Sequence, residues 1–109
     1  MRVTVTARHT DVSEDLRSRA RKLVERLARV APRPVDAQVI LSDDHALAIA
    51  ELRLHVARGQ VLVGRAEAAD HRSALDRAAA RVRRQLDKSP AKRNGAARRR
   101  AGAREEGSR

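Results

Sequence analysis

Residues 70–88 read DHRSALDRAAARVRRQLDK, and this stretch decides the fold. At about 100° per residue, its apolar side chains fall on one face of a helix, and its cations form a second stripe. The apolar face holds Leu75, Ala78, Ala79, Val82 and Leu86. The cation row holds Arg77, Arg81, Arg84 and Lys88. Such a helix can bury one face against a sheet while its cations face either a polyanion or only solvent.

A first helix of the same kind is predicted after an N-terminal strand. Residues 2–8 alternate apolar and polar side chains, as a half-buried strand does. Ser13 is a good N-cap, and Pro32 and Pro34 end the helix. Its apolar face holds Leu16, Ala20, Leu23, Val24, Leu27 and Val30. Its cations are Arg19, Lys22, Arg26 and Arg29 on the opposite face, with Arg17 and Arg21 at the edge.

The middle of the chain predicts three more strands. Residues 35–42 alternate, and residues 42–45, which read SDDH, have turn composition. The side chains placed inward on this strand are Val35, Ala37, Val39 and Leu41. Residues 47–57 alternate again before a tight hairpin at Arg58-Gly59. Residues 60–68 then return with small inward side chains that leave room for a helix.

The order of the predicted elements is β-α-β-β-β-α. It favours an α+β fold in which two helices pack on one face of a four-stranded, mostly antiparallel sheet. We expect this domain to span residues 1–88. Residues 88–109 hold eight basic and two acidic side chains and have no apolar periodicity. Residues 89–109 are therefore predicted to be a disordered basic tail.

The overall composition favours a polyanion partner. The 109 residues include 25 Lys and Arg against 14 Asp and Glu, a formal net charge of +11. The chain has no Cys, which excludes disulfides and thiolate metal sites. It also has no Phe, Tyr or Trp, so it cannot stack bases on aromatic rings. Recognition of RNA would have to use phosphates, sugars and shape.

Other functions have little support in the sequence. The four His residues are scattered without metal-ligand spacing, and neither Ser13 nor Ser73 has a nearby His in helical register to activate it. We therefore expect no catalysis, no metal, no cofactor and no small-molecule substrate. No apolar run approaches the ~18–20 residues that cross a bilayer. The apolar helix faces are needed to cover the sheet rather than a membrane, so we expect a cytoplasmic protein.

Several phrases, taken in order, resemble the ribosome hibernation promoting factors, also called ribosome-associated inhibitors or sigma-54 modulation proteins. RVTVTARHTDVSEDLR at residues 2–17 is similar to the family's first strand and helix start. LVERLAR at 23–29 resembles part of its first helix, and VILS at 39–42 the end of its second strand. AEAADHRSALD at 66–76, followed by ARVRRQLDK at 80–88, resembles its second helix. The resemblance spans about residues 2–88.

This resemblance implies a fold similar to double-stranded-RNA-binding domains and a specific partner. The protein would bind small-subunit rRNA at the decoding region, block tRNA and mRNA, and silence idle ribosomes under stress or in stationary phase. The family's basic helix residues carry over to Arg17, Arg26, Arg81, Arg84 and Lys88. Periodicity alone adds Lys22, Arg29 and Arg77 to the predicted RNA-binding set.

The chain departs from the family pattern at three places. Leu23 stands where the family often has a cation, and His71-Arg72 replaces the usual Met-Tyr. The chain leaves no room for the second domain of long members, so ribosome dimerisation would need another factor or the tail. Two alternatives remain open, namely a generic double-stranded-RNA or nucleoid-binding module and a sigma-factor-type protein adaptor.

Overall fold

Two helices cover one face of a four-stranded sheet in the computed structural model, which describes residues 1–88. The predicted tail at residues 89–109 lies outside this part of the chain. The elements in chain order are β1 (Arg2–Arg8), α1 (Glu14–Val30), β2 (Pro34–Asp44), β3 (Leu47–Val56), β4 (Val61–Ala68) and α2 (His71–Lys88). The predicted β-α-β-β-β-α order and α+β class are confirmed.

The strands lie in sequence order across the sheet. β1 pairs in parallel with β2, with Val5 opposite Val39. The β2–β3 and β3–β4 pairs are antiparallel, so the sheet is mostly antiparallel, as predicted. A parallel pair needs a long crossover, which α1 provides, whereas short turns connect the antiparallel pairs. β1 and β4 are consequently the two edge strands.

The core lies between the sheet and the two helices and is entirely aliphatic. No polar or charged side chain is buried anywhere in residues 1–88. The largest side chains that are fully buried are Val24, Val39, Leu41, Leu52, Leu54, Leu75, Val82 and Leu86. They come from α1, the two inner strands β2 and β3, and α2, because alternate strand residues and one face of each helix point to the same layer.

Gly64 sets the distance between β4 and α2. A Cβ atom at this position would clash with the carbonyl oxygen of Ala78 and stand 2.9 Å from Cγ2 of Val82. The backbone of β4 therefore touches the backbone of α2, which confirms that small inward residues leave room for a closely packed helix. This contact helps to hold α2 at the edge of the sheet.

Both helices begin at a side-chain cap. The Oγ of Ser13 accepts a hydrogen bond from Leu16 N at 3.1 Å, as the sequence predicts. At the start of α2, Asp70 Oδ1 accepts from Ser73 N at 2.7 Å and Oδ2 accepts from the Ser73 hydroxyl at 3.1 Å. These hydrogen bonds from Ser73 lower the pKa of Asp70 below its ordinary value of 3.8.

Two details of β2 differ from the sequence prediction. Val35 was expected to face inward but is 54% exposed, because the β2–β3 register shifts between Pro34 and Asp36. Residues 42–45 were expected to form a turn, yet β2 continues through Asp44, which pairs with Leu47. The turn is only His45-Ala46, with a φ of 59° at His45, as tight hairpins require.

Candidate nucleic-acid interface

The cation row of α2 lies beside the β4 edge of the sheet. Arg77 Nη1 donates to the carbonyl oxygen of Glu67 at 3.0 Å. Gln85, between the cations, accepts from Val63 N and donates to Val63 O. The row extends about 16 Å from Arg77 to Lys88, which are eleven positions apart in the helix. A shallow concavity follows it, lined by Val63, Arg65, Arg81, Arg84, Gln85 and Lys88.

The acidic side chains of α2 lie on a different side of the helix. Asp76 binds Arg19 of α1, and Asp87 lies 3.4 Å from Arg83 within α2. Asp76, Arg83 and Asp87 share one helix side, since they are seven and four residues apart. Arg81 and Arg84 have no ion pair or hydrogen bond with any side chain or carbonyl among residues 1–88. The positive charges of Arg81 and Arg84 are thus not compensated by Asp76 or Asp87.

The outer face of α1 carries a second set of cations. Lys22, Arg26 and Arg29 are exposed, and within the described range none of them forms an ion pair or hydrogen bond. They are four and three residues apart, so they follow one another along the helix. Both helices pack on the same face of the sheet, and these cations therefore share one side of the molecule with the α2 row.

Arg19 does not lie on the outer face of α1, where the sequence pattern places it. Its guanidinium binds the carboxylate of Asp76 through two hydrogen bonds of 2.9 Å each. The hydrogen bonds to Asp76 raise the pKa of Arg19 above its ordinary value. Helical periodicity fixes the direction of a side chain but cannot show that an acid of the neighbouring helix stands opposite it. Arg19 therefore joins the two helices.

Arg17 and Arg21 reach the β1 edge of the sheet. Arg17 Nη1 donates to Val5 O at 2.9 Å, and Arg21 Nη1 donates to Val3 O at 3.3 Å. Arg77 and Gln85 do the same at the β4 edge, so helix side chains occupy backbone groups on both edges. A guanidinium has five N–H donors, so Arg17 and Arg77 keep donors for another ligand. Their role in RNA binding stays a prediction.

The structure adds Arg65 to the candidate residues. Its side chain lies on the open face of the sheet, opposite the buried Gly64 and Ala66, and it borders the concavity along α2. The alternating pattern of β4 already placed residue 65 outward. No pattern within the sequence shows that β4 lies beside the α2 row, and Arg65 was missed for that reason.

His71 attaches the start of α2 to the end of β2. Its Nε2 lies 2.9 Å from Ser42 O and 3.1 Å from Asp43 Oδ1. The residue that departs from the family's Met-Tyr thus forms a polar contact between two elements. Among the residues that the structure describes, no three His, Asp or Glu side chains converge as a metal site would require. No helix in this range is long and apolar enough to span a bilayer.

The comparison with protein families decides the identity of this fold. A family model described as "Sigma 54 modulation protein / S30EA ribosomal protein" matches residues 3–94. The chain belongs to this family. The resemblance read from the sequence is thereby confirmed, and membership supports a ribosome-associated factor. No curated protein sequence matches the chain.

Solved structures of two proteins share the fold of this family member. One is the N-terminal domain of Protein Y from Thermus thermophilus, with 27% identity and a TM-score of 0.71; the alignment covers 81% of this chain and 98% of that one. The other is a ribosomal subunit interface protein from Coxiella burnetii, with 22% identity and a TM-score of 0.70, covering 81% and 96%. The second likeness concerns the fold alone.

Proposed function

We propose that this family member is a ribosome-binding translation inhibitor that occupies the decoding region of the small subunit. Its two basic helix faces would bind folded rRNA, and its body would exclude tRNA and mRNA. Inhibition of this kind is steric, needs no turnover and no cofactor, and takes place in the cytoplasm. Family membership supports a ribosomal partner, because the description of the family names a ribosomal protein.

The observation that carries this proposal is the separation of charges on the helices. The acids of α2 are engaged with Arg19 and Arg83, whereas Arg81 and Arg84 have no partner among the described residues. A cation that is already paired must break its ion pair before it binds a phosphate. An unpaired cation only displaces water and counterions, and the release of counterions from RNA drives binding.

The absence of aromatic residues is consistent with this mode of binding. Single-stranded bases are usually held by stacking on aromatic rings, which this chain lacks. Structured rRNA presents phosphates and 2′-hydroxyls at fixed positions, and rigid helices can match them. The aliphatic core and the close β4–α2 contact at Gly64 provide that rigidity.

Cosedimentation with purified small subunits and whole ribosomes tests the proposal. The protein would carry a C-terminal epitope tag, because the chain has no aromatic chromophore. An excess of duplex RNA would be added at physiological salt. We expect the protein to stay on the small subunit despite the duplex. Loss to the duplex would contradict a specific ribosomal site and favour a generic double-stranded-RNA or nucleoid-binding module, which uses the same charges.

A protein adaptor is the second candidate, because the family description names sigma-54 modulation. An adaptor that contacts another protein through apolar or neutral groups binds with little dependence on salt. Phosphate contacts, in contrast, make the logarithm of the affinity fall linearly with the logarithm of the salt concentration. Ribosome binding that is insensitive to salt would therefore favour the adaptor over the rRNA-binding function.

A further inference from the structure

Arg65 stands where two shallow concavities of the surface meet. The first concavity runs along α2 and includes Arg81, Arg84 and Lys88. The second lies on the open face of the sheet and includes Arg8 and Arg53. Arg65 lines both of them. The cationic surface of α2 is therefore continuous with arginines on the face of the sheet that no helix covers.

We propose that the RNA-binding surface turns around the β4 edge at Arg65 and continues across the open face to Arg8. The ligand of this extension is the sugar–phosphate backbone of RNA. The inference rests on the proposed function, because it assumes that the α2 row binds RNA. It adds a second side of the molecule to that interface.

The β4 edge presents little obstacle to such a path. β4 is an edge strand, and the side chains of Arg77 and Gln85 reach its free edge from α2. Alternation along β4 directs Arg65 to the open face, while Gly64 and Ala66 face the helices. An RNA backbone that leaves Arg81 and Arg84 would therefore meet Arg65 next.

The arginines of the open face are accessible to a phosphate. Arg65 lies 3.5 Å from Glu67, but both side chains are about half exposed, at 52% and 42%. Exposed ion pairs of this kind are weak. Phosphate binds guanidinium through two parallel hydrogen bonds and can replace the carboxylate. Arg8 has no ion pair with any residue in the described range.

Between these arginines the concavity is lined by the aliphatic Ile40 and Ile49, the neutral polar Gln38 and Ser42, and one acid, Glu51. Ile49 points to the open face, yet it is only 7% exposed and lies outside the core cluster. Neighbouring side chains must therefore cover it, and the stems of arginine suit that position. Glu51 is bound by Arg53, so it does not repel a phosphate as a free carboxylate would. Three arginines, Arg8, Arg53 and Arg65, thus line this concavity against the single acid Glu51.

The inference is tested by measuring the affinity for small subunits at several salt concentrations. The measurement compares matched variants that each lack a single charge. Arg65→Gln and Arg8→Gln probe the open face, and Arg84→Gln probes the α2 row. Arg83→Gln is the control, because Arg83 lies on another side of the same helix, beside Asp87, and lines neither concavity. Glutamine keeps much of the arginine stem, and the circular dichroism melting curve of each variant verifies the fold.

The salt slope is the steepness with which the logarithm of the affinity falls with the logarithm of the salt concentration. We expect Arg65→Gln, Arg8→Gln and Arg84→Gln each to lower this slope by about 0.7–0.9, because each variant removes one phosphate contact. Arg83→Gln should leave the slope unchanged. The double variant Arg65→Gln with Arg84→Gln should lose about twice as much as either single variant.

The outcomes distinguish a failure of the extension onto the open face from a failure of the proposed rRNA-binding function. If Arg84→Gln lowers the slope and Arg65→Gln behaves like the control, the extension onto the open face is wrong and the helix interface remains. If only Arg8→Gln has the same salt slope as the wild-type protein, the RNA-binding surface ends at Arg65 and does not reach Arg8. If neither Arg84→Gln nor Arg65→Gln changes the slope, the proposed rRNA-binding function is itself wrong.

Discussion

Arg17, Arg19 and Arg77 use their guanidinium groups on acceptors of the protein, whereas Arg81 and Arg84 bind no described residue. None of these five residues belongs to an apolar helix face in the sequence pattern. Their difference arises from what the fold places beside them: an edge carbonyl, an acid of the other helix, or solvent. We expect Arg19 and Arg84 to respond to mutation in opposite ways.

Arg84→Gln should weaken binding to small subunits without changing stability. Its side chain is exposed and has no partner among residues 1–88, so the free energy of unfolding should change by less than about 0.5 kcal/mol. Cosedimentation measures the binding and urea denaturation the stability. A stable variant that binds as tightly as the wild-type protein would remove Arg84 from the interface.

Arg19→Gln should lower the stability of the domain without weakening its binding to small subunits. It breaks the two hydrogen bonds to Asp76, but both side chains are more than a third exposed. Solvent screening limits the loss of unfolding free energy to about 1 kcal/mol or less. Ribosome binding should stay normal. A double-mutant cycle with Asp76→Asn measures the coupling, and a coupling of zero would show that this bridge does not hold the helices together.

Gly64→Ala should destabilise the protein because it pushes α2 away from β4. The added methyl group would clash with Ala78 O and Val82 Cγ2, and overpacking of this kind costs about 1–3 kcal/mol. Gly59→Ala is the comparison, since its φ of 74° strains a side chain while nothing lies within 4 Å. The melting temperature should fall more for Gly64→Ala; an unchanged value would mean that α2 shifts freely.

At the scale of elements, the helices protect the sheet edges. An edge strand offers unpaired backbone groups to other chains, and exposed Val61 and Val63 on β4 increase that risk. Gln85 occupies both the N–H and the carbonyl of Val63. Gln85→Ala should therefore promote self-association, detected by light scattering. Gln38→Ala on the inner strand β2 is the control, and a Gln85→Ala variant as monomeric as this control would contradict edge protection.

The start of α2 should give the stability of the domain an acid-sensitive component. The pKa of Asp70 is lowered in the folded protein by the hydrogen bonds from Ser73. Its contribution is complete above the ordinary value of 3.8 and is lost as the pH falls through the lower folded value.

Asp70→Asn keeps the cap but does not titrate. Its unfolding free energy should decline less steeply below about pH 4 than that of the wild-type protein, as measured by urea denaturation across acidic pH. Asp70→Ala should be less stable at every pH, because it also removes the cap. Parallel pH profiles for Asp70→Asn and wild type would exclude this role of the carboxylate.

The sequence predicts elements well where one periodicity dominates. The two ends of α1 are correctly located by Ser13 and Pro32. The alternation of residues 47–57 correctly locates β3. Val35 was misplaced because a register shift is a property of two paired strands, and alternation within one strand does not contain it. Asp43 and Asp44 have turn composition, but pairing with Ala48 and Leu47 holds them in β2. The contacts of Arg19 and the position of Arg65 beside α2 depend on which elements become neighbours in the fold. Composition does not reveal which elements these are.

At the scale of the whole molecule, the fold places both cationic helices on one side. The core cluster includes residues of α1, α2 and the inward faces of all four strands. A single RNA surface can therefore contact both helices at once. The open face of the sheet remains available on the opposite side, and the extension through Arg65 would let RNA contact both sides around the β4 edge.

We propose that the protein occupies the same site on the small subunit as the tRNA–mRNA pair. The most direct test measures binding of the tagged protein to vacant small subunits and to subunits that already hold mRNA and tRNA. We predict that the filled subunits exclude the protein and that added protein prevents tRNA from binding to vacant ones. Equal affinity for vacant and filled subunits, with the protein and tRNA bound together, would contradict the account.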